Sequence, residues 1–317
     1  MLLLADGSLI DRLSQVLGFE HAFEFRAILS VLLVTAICGM VGALVVGNRM
    51  AFFSDAMAHC AFAGIALGIL LTIVMGYAKD PEALRWMIPI IMVIFGAMIG
   101  LAIAFVKEKT ELASDTVIGV FFAGAIGFGA MLLSVLMKQR RKVLDPETFL
   151  FGSPLFVQDT DFLYLAILFV LVIGLLVWRS NHLLLASFNP SLARSRGISL
   201  RLNNYLFILL LALIVNLSIV TVGALLINAM LIVPAAAASN LARNLRQMFW
   251  LTLGLSISAG FVGLYLSSSF HLKLGPGEPI EFGPSGTIIC VSVSFFFVTM
   301  LMPTFRKRFL KSRTQPV

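Results

Sequence analysis

Nine runs of about twenty apolar residues, separated by short charged breaks, leave this chain few ways to fold. Crossing about 30 Å of hydrocarbon takes roughly 20 apolar residues in a helix. Windows of that length fall near 27–47, 54–75, 87–106, 115–137, 162–178, 205–222, 224–239, 248–268 and 286–303. The runs are continuously apolar and do not alternate at every second residue, which excludes a membrane barrel. The balance agrees: 60% of the 317 residues are hydrophobic and 12% charged, with a mean hydropathy of +1.01, outside the range of soluble domains. The expected fold is an all-α polytopic membrane protein. The seventh run is short, carries Pro234 and follows the sixth through Gly223, the pattern of a broken or re-entrant hairpin. The expected count is therefore about eight to ten transmembrane helices.

Three regions follow. Residues 1–26 form an N-terminal segment without the basic start and long apolar stretch of a cleaved signal, and read as an interfacial piece. Residues 27–303 form the transmembrane domain, and 304–317 a basic tail. That tail carries Arg306, Lys307, Arg308, Lys311 and Arg313, which places the C-terminus in the cytoplasm. Nine crossings then put the N-terminus outside, and the inside breaks hold the larger share of the 23 Lys and Arg. One segment opposes the bias. Lys138, Arg140, Arg141 and Lys142 fall outside, so either a re-entrant piece in "TFLFGSPLFV" shifts the count or this loop serves an external purpose. The net charge of +7 is spread over breaks and not over one globular face, which argues for anionic membrane lipid and against nucleic acid. Cys38, Cys60 and Cys290 all lie in apolar runs and suggest no disulfide framework.

Inside the second run, Asp55 and His59 stand four residues apart, on one side of a helix and one turn from each other. Ionisable side chains within a span are costly enough that function is the default reading. A carboxylate oxygen with an imidazole nitrogen suits Zn²⁺, Mn²⁺ or Fe²⁺, whereas Ca²⁺ and Mg²⁺ sites are usually all oxygen. The pair equally suits a proton relay, or a structural tie inside the bundle. Small residues surround it, and Gly64 with Gly68 forms a GxxxG that favours close helix packing.

Around that pair, "NRMAFFSDAMAHCAFAGIALG" (48–68) resembles the second-helix motif of permease subunits of ATP-binding-cassette (ABC) importers for zinc, manganese and iron. Four further blocks agree in order. "SDTVIGVFFAGAIGFGAMLLS" (114–134) is similar to that family's fourth-helix block and "FLFGSPLFVQDTD" (149–161) to its LFGS loop. "ASFNPSLARSRGISLRLNNYLF" (186–207) resembles its ATPase-engaging segment, and "VGALLINAMLIVPAAAA" (222–238) the hairpin that follows. The resemblance implies a type II ABC importer-like permease bundle in a bacterial inner or plasma membrane. It implies a second permease, identical or paralogous, an ABC ATPase subunit, and an extracytoplasmic metal-binding solute-binding protein. The chain contains no G-x-x-x-x-G-K-[ST] phosphate loop, so ATP hydrolysis is assigned to another chain and this subunit is expected to be non-catalytic. No permanently bound cofactor is expected, the metal being cargo.

Carried over by position, Asp55 and His59 are the metal-contacting pair. Asn48 and Asn228 are possible pathway residues, although the family usually has a basic or small residue at the first position and a small apolar one at the second. The segment 182–203 is expected to dock the ATPase through a short amphipathic helix. Asn189 and Pro190 would start it and Gly197 stop it, with Ala193, Arg194 and Arg196 among the contact residues. Asp115 reads as the N-cap of the fourth span. His271, Glu278 and Glu281 form a possible external metal-receiving mouth in a turn-rich loop. Two other import chemistries stay open: a proton-coupled secondary transporter using Asp55 and His59 as a relay, and an ABC permease for a metal chelate. An intramembrane metalloenzyme is disfavoured, since no H-E-x-x-H occurs.

Overall fold

The structure, a computed structural model, describes residues 22–77, 80–110, 112–138, 152, 159–269, 271–272 and 280–312. Along these the chain forms α1 (Ala22–Gly47), α2 (Phe53–Val74), α3 (Pro81–Lys109), α4 (Ser114–Lys138) and α5 (Asp159–Phe188). There follow the short α6 (Pro190–Ser195), then α7 (Leu200–Val222), α8 (Ala224–Leu241) and α9 (Leu245–Ser269). A two-residue ladder, β1 (His271–Leu272) with β2 (Ile280–Glu281), precedes α10 (Pro284–Ser312). Among the described residues nine helices are long and apolar enough to cross a membrane, every one except α6. The residues 1–21 of the N-terminal segment and most of the basic 138–147 loop lie outside the described residues.

Several helices run past the apolar windows because polar residues cap them. Asp80 accepts from the backbone N–H of Glu82 (3.0 Å) and Ala83 (3.4 Å), with Pro81 in the first turn, so α3 begins six residues before its apolar window. Lys107 and Lys109 lie in its last turn, where cations are favoured. Ser199 caps α7 through Leu202 N–H at 3.4 Å. Asp115 sits in the first turn of α4, one residue inside its start, so the carboxylate meets the positive helix end from within and not as the expected cap. Helix α10 continues to Ser312, so the tail boundary expected at 304 falls inside a helix.

Successive crossings alternate because most links are only a few residues long. The ends of α1, α3 and α5, the start of α7 and all of α6 meet at one end of the bundle, around a shared cavity. At the opposite end Ser267 of α9 donates to the Phe282 carbonyl (2.6 Å) and Ser285 of α10 to that of Val222 (3.4 Å). The α7–α8 junction corrects the hairpin expectation in part: α8 is a continuous helix, with Pro234 inside it. The junction is a single buried residue, Gly223, at φ +84°, a conformation natural to glycine. Gly152 of the LFGS block, at φ +67°, packs against it so closely that an added Cβ would sit 2.5 Å from the Val222 carbonyl oxygen.

The core lies where α1, α2, α7 and α8 meet. On α4 and α5 the apolar side chains Val120, Met131, Ile167 and Val170 are exposed, as expected of faces turned to lipid tails. The GxxxG reading holds: Cβ atoms on Gly64 and Gly68 would lie 3.0 Å from Met92 Cα and 3.2 Å from Ile88 Cα of α3, so α2 and α3 touch backbone to backbone. The same logic gives a controlled test on α9. At Gly263 a Cβ would lie 2.5 Å from Ile288 Cα, whereas at Gly254 nothing lies within 4 Å. Gly263→Leu is expected to destabilise the protein by about 3 kcal/mol through overpacking and Gly254→Leu by less than about 0.5 kcal/mol. Thermal unfolding in detergent reads the difference; equal shifts would contradict the packing of α9 on α10.

Candidate metal site and docking segment

Asp55 occupies the first turn of α2, where the helix dipole helps to hold a carboxylate. His59 follows one turn later, and both are half-buried. The structure brings Asn228 to them from α8. Its Nδ2 donates to Asp55 Oδ1 at 3.0 Å, while its own Oδ1 is buried and, among the described residues, has no hydrogen-bond partner. Asn228 lies in the second turn of α8, shortly after the single-residue turn at Gly223. His59 turns its ring edge-on to Phe122 of α4, centroids 4.9 Å apart at 86°. The donors at hand are thus one carboxylate held by an amide from α8 and one imidazole a turn away against α4, fewer than the four of a closed structural zinc site. Among the described residues no three His, Cys, Asp or Glu side chains gather around a common point.

Asn48 lies elsewhere. Its amide donates to the Leu44 carbonyl (2.9 Å) and to Ser187 Oγ (2.8 Å), and it lines the cavity beside α6. It ties the end of α1 to the end of α5 and makes its hydrogen bonds there and not to Asp55 or His59. In the ladder between α9 and α10 His271 and Glu281 are register partners; Glu278 lies outside the described residues.

Helix α6 is built as its residues dictate. Asn189 Oδ1 accepts from Leu192 N–H (3.2 Å) and Ser191 Oγ (2.9 Å), and Pro190 opens the first turn. At the other end Ile198 N–H reaches the Ala193 carbonyl (3.0 Å) and Gly197 N–H that of Arg194 (3.0 Å). With Gly197 at φ +72°, this is a Schellman closure. Ala193 is fully buried, whereas Leu192, Arg194 and Arg196 are exposed. One face is thus seated on the bundle and the other carries the two arginines. Sequence reasoning missed the residues around this seat: Glu108 pairs with Arg201, and Lys107 lies beside them. Their only signal was charge at the ends of apolar runs, which every break in the chain shares.

Among the described residues, nine helices long and apolar enough to cross a membrane, with a capped surface helix between the fifth and sixth, make this a polytopic helical membrane protein. The solved structure described as "PsaBC from Streptococcus pneumoniae in complex with Fab" matches it with a TM-score of 0.68 and 27% identity, over 90% of this chain and 93% of that chain. The manganese import system permease protein ScaB of Streptococcus gordonii is 30% identical over 300 residues, 93% of this chain and 97% of its own length. The high-affinity zinc uptake system membrane protein ZnuB of Haemophilus influenzae is 29% identical over 256 residues, 81% and 92%. Residues 20–303 match the ABC 3 transport family, and the chain belongs to that family.

Proposed function

We propose that this chain is the membrane permease subunit of an ABC importer that carries a divalent transition metal ion, Zn²⁺, Mn²⁺ or Fe²⁺, into the cytoplasm. The observation that supports it most is Asp55, held by Asn228 of a second helix and followed one turn later by His59, in a family whose relatives include manganese and zinc import permeases. A solute-binding protein delivers the ion to the outer face of a permease pair, homodimeric or with a paralogue. Asp55 and His59 then hold it transiently. Two strong donors and an amide bind loosely enough for release, which a transport waypoint requires. The end carrying α6 faces the cytoplasm, in keeping with the basic tail. There a separate ATPase subunit engages Arg194 and Arg196, and its closure tilts the helices through 182–203 so that access alternates.

The test is uptake of zinc, manganese and iron isotopes into proteoliposomes containing this chain, its ATPase and its binding protein. Accumulation of a metal that requires ATP and survives a protonophore is the expected result. Uptake that needs no ATP and collapses with the proton gradient would instead establish the secondary-transport reading, and uptake of a chelate alone would remove the bare ion.

A further inference from the structure

The cavity at the α6 end measures about 410 Å³ and is lined by Asn48, Lys107, Glu108, Arg194, Arg201 and Asn204 among others. Its charge is unbalanced. Glu108 is engaged by Arg201. Lys107 is half-buried, and its Nζ contacts Met50 Sδ at 3.7 Å, a weak acceptor. Among the described residues no carboxylate lies within ion-pair distance of Lys107 or Arg194; Asp115, exposed at the start of α4, acts on Lys107 only at longer range. A half-buried ammonium with no carboxylate in direct contact leaves room for one at short range, so the cavity suits an anion. Asn204 adds an amide group to its wall, and an amide N–H₂ can donate to an anion's oxygens; both N–H groups of Asn48 are already given to Leu44 and Ser187.

The surroundings identify the carrier of that anion. Leu101 and Phe105 are exposed and share a face of α3 with Glu108 at the cavity rim, at spacings of four and three residues. An apolar strip therefore descends from the rim along the outside of the bundle, where acyl chains run. Basic pockets between transmembrane helices near a membrane surface suit anionic head groups. We propose that this cavity binds the phosphate of an anionic phospholipid, with Lys107 and Arg194 as its cationic partners, and so links the bilayer to the seat of α6. This inference is independent of the cargo, and its test is made on the permease alone, without the ATPase that also engages Arg194.

The test uses the full chain purified in detergent and examined by native mass spectrometry with phosphatidylglycerol or phosphatidylcholine. One phosphatidylglycerol is expected to be retained in preference to phosphatidylcholine. Lys107→Gln and Arg194→Gln are each expected to weaken retention by about fivefold, while Arg246→Gln, an exposed position not lining the cavity, leaves it unchanged. Arg194 is exposed on α6, so its variant remains informative if Lys107→Gln fails to fold. Equal retention of the two lipids, or retention unchanged in both cavity variants, overturns the proposal. Saturable binding of inorganic phosphate that displaces the lipid assigns the cavity to a free anion and likewise overturns the lipid source.

Discussion

Asp55→Ala and His59→Ala are each expected to lower ATP-driven metal uptake by on the order of 100-fold, at the upper end of the cost of disturbing a metal's ligand sphere. The size follows from the donor count. With one carboxylate and one imidazole as the strong donors, neither can be lost and replaced by the other. Asn228→Ala is expected to cost about 10-fold, since the amide acts partly by orienting Asp55 through the 3.0 Å bond. Asp55→Ala also leaves the Asn228 amide without its acceptor, so intact association with the ATPase serves as the check that separates a lost ligand from a lost fold. If both Asp55→Ala and His59→Ala import at the unmodified rate in complexes that assemble normally, the pair is a structural tie and the route lies elsewhere.

Ala193→Asp carries the second large effect. Ala193 is fully buried under a six-residue helix, and a carboxylate there costs several kcal/mol unless the helix leaves its seat. Helix α6 has its cap, its closing turn and little else to resist with; Asn189→Ala alone is expected to remove about 1 kcal/mol. The spans do not depend on it, so the expected outcome is a folded permease that no longer co-purifies with its ATPase and no longer imports. Arg194→Ala, which leaves the seat intact, is expected to weaken ATPase association without abolishing it. Normal co-purification of the Ala193→Asp variant would show that the ATPase is held elsewhere.

Much of this molecule was legible in the chain. Hydrocarbon offers the backbone no partners, so a run of twenty apolar residues has to become a helix whatever its neighbours do; all nine windows did. Caps are equally local. Asn189-Pro190 and Gly197 set the ends of α6, because an amide oxygen, a fixed φ and a left-handed residue act within one turn. The spacing of Asp55 and His59 put them on one helix face for the same reason.

What lay beyond reach depended on distance along the chain. Nothing near Asn228 says that its amide meets a carboxylate 173 residues away; that follows from a buried one-residue turn at Gly223 and from Gly152 closing over it. The α7–α8 pair read as a possible broken hairpin because Pro234 and Gly223 are helix breakers by themselves, whereas packing on α1, α9 and α10 keeps α8 continuous. Asn48 shares a motif with Asp55, yet α5 claims it through Ser187. The cationic cavity, too, is assembled from four separate breaks, each an ordinary charged end. The sequence by itself determined the spans, the ends of α6 and the placing of Asp55 and His59 one turn apart on one helix, since these rest on periods of one helical turn and on the cost of polar groups in lipid. Only the tertiary structure decided which helices touch, because the glycine contacts and single hydrogen bonds that choose partners carry no local pattern.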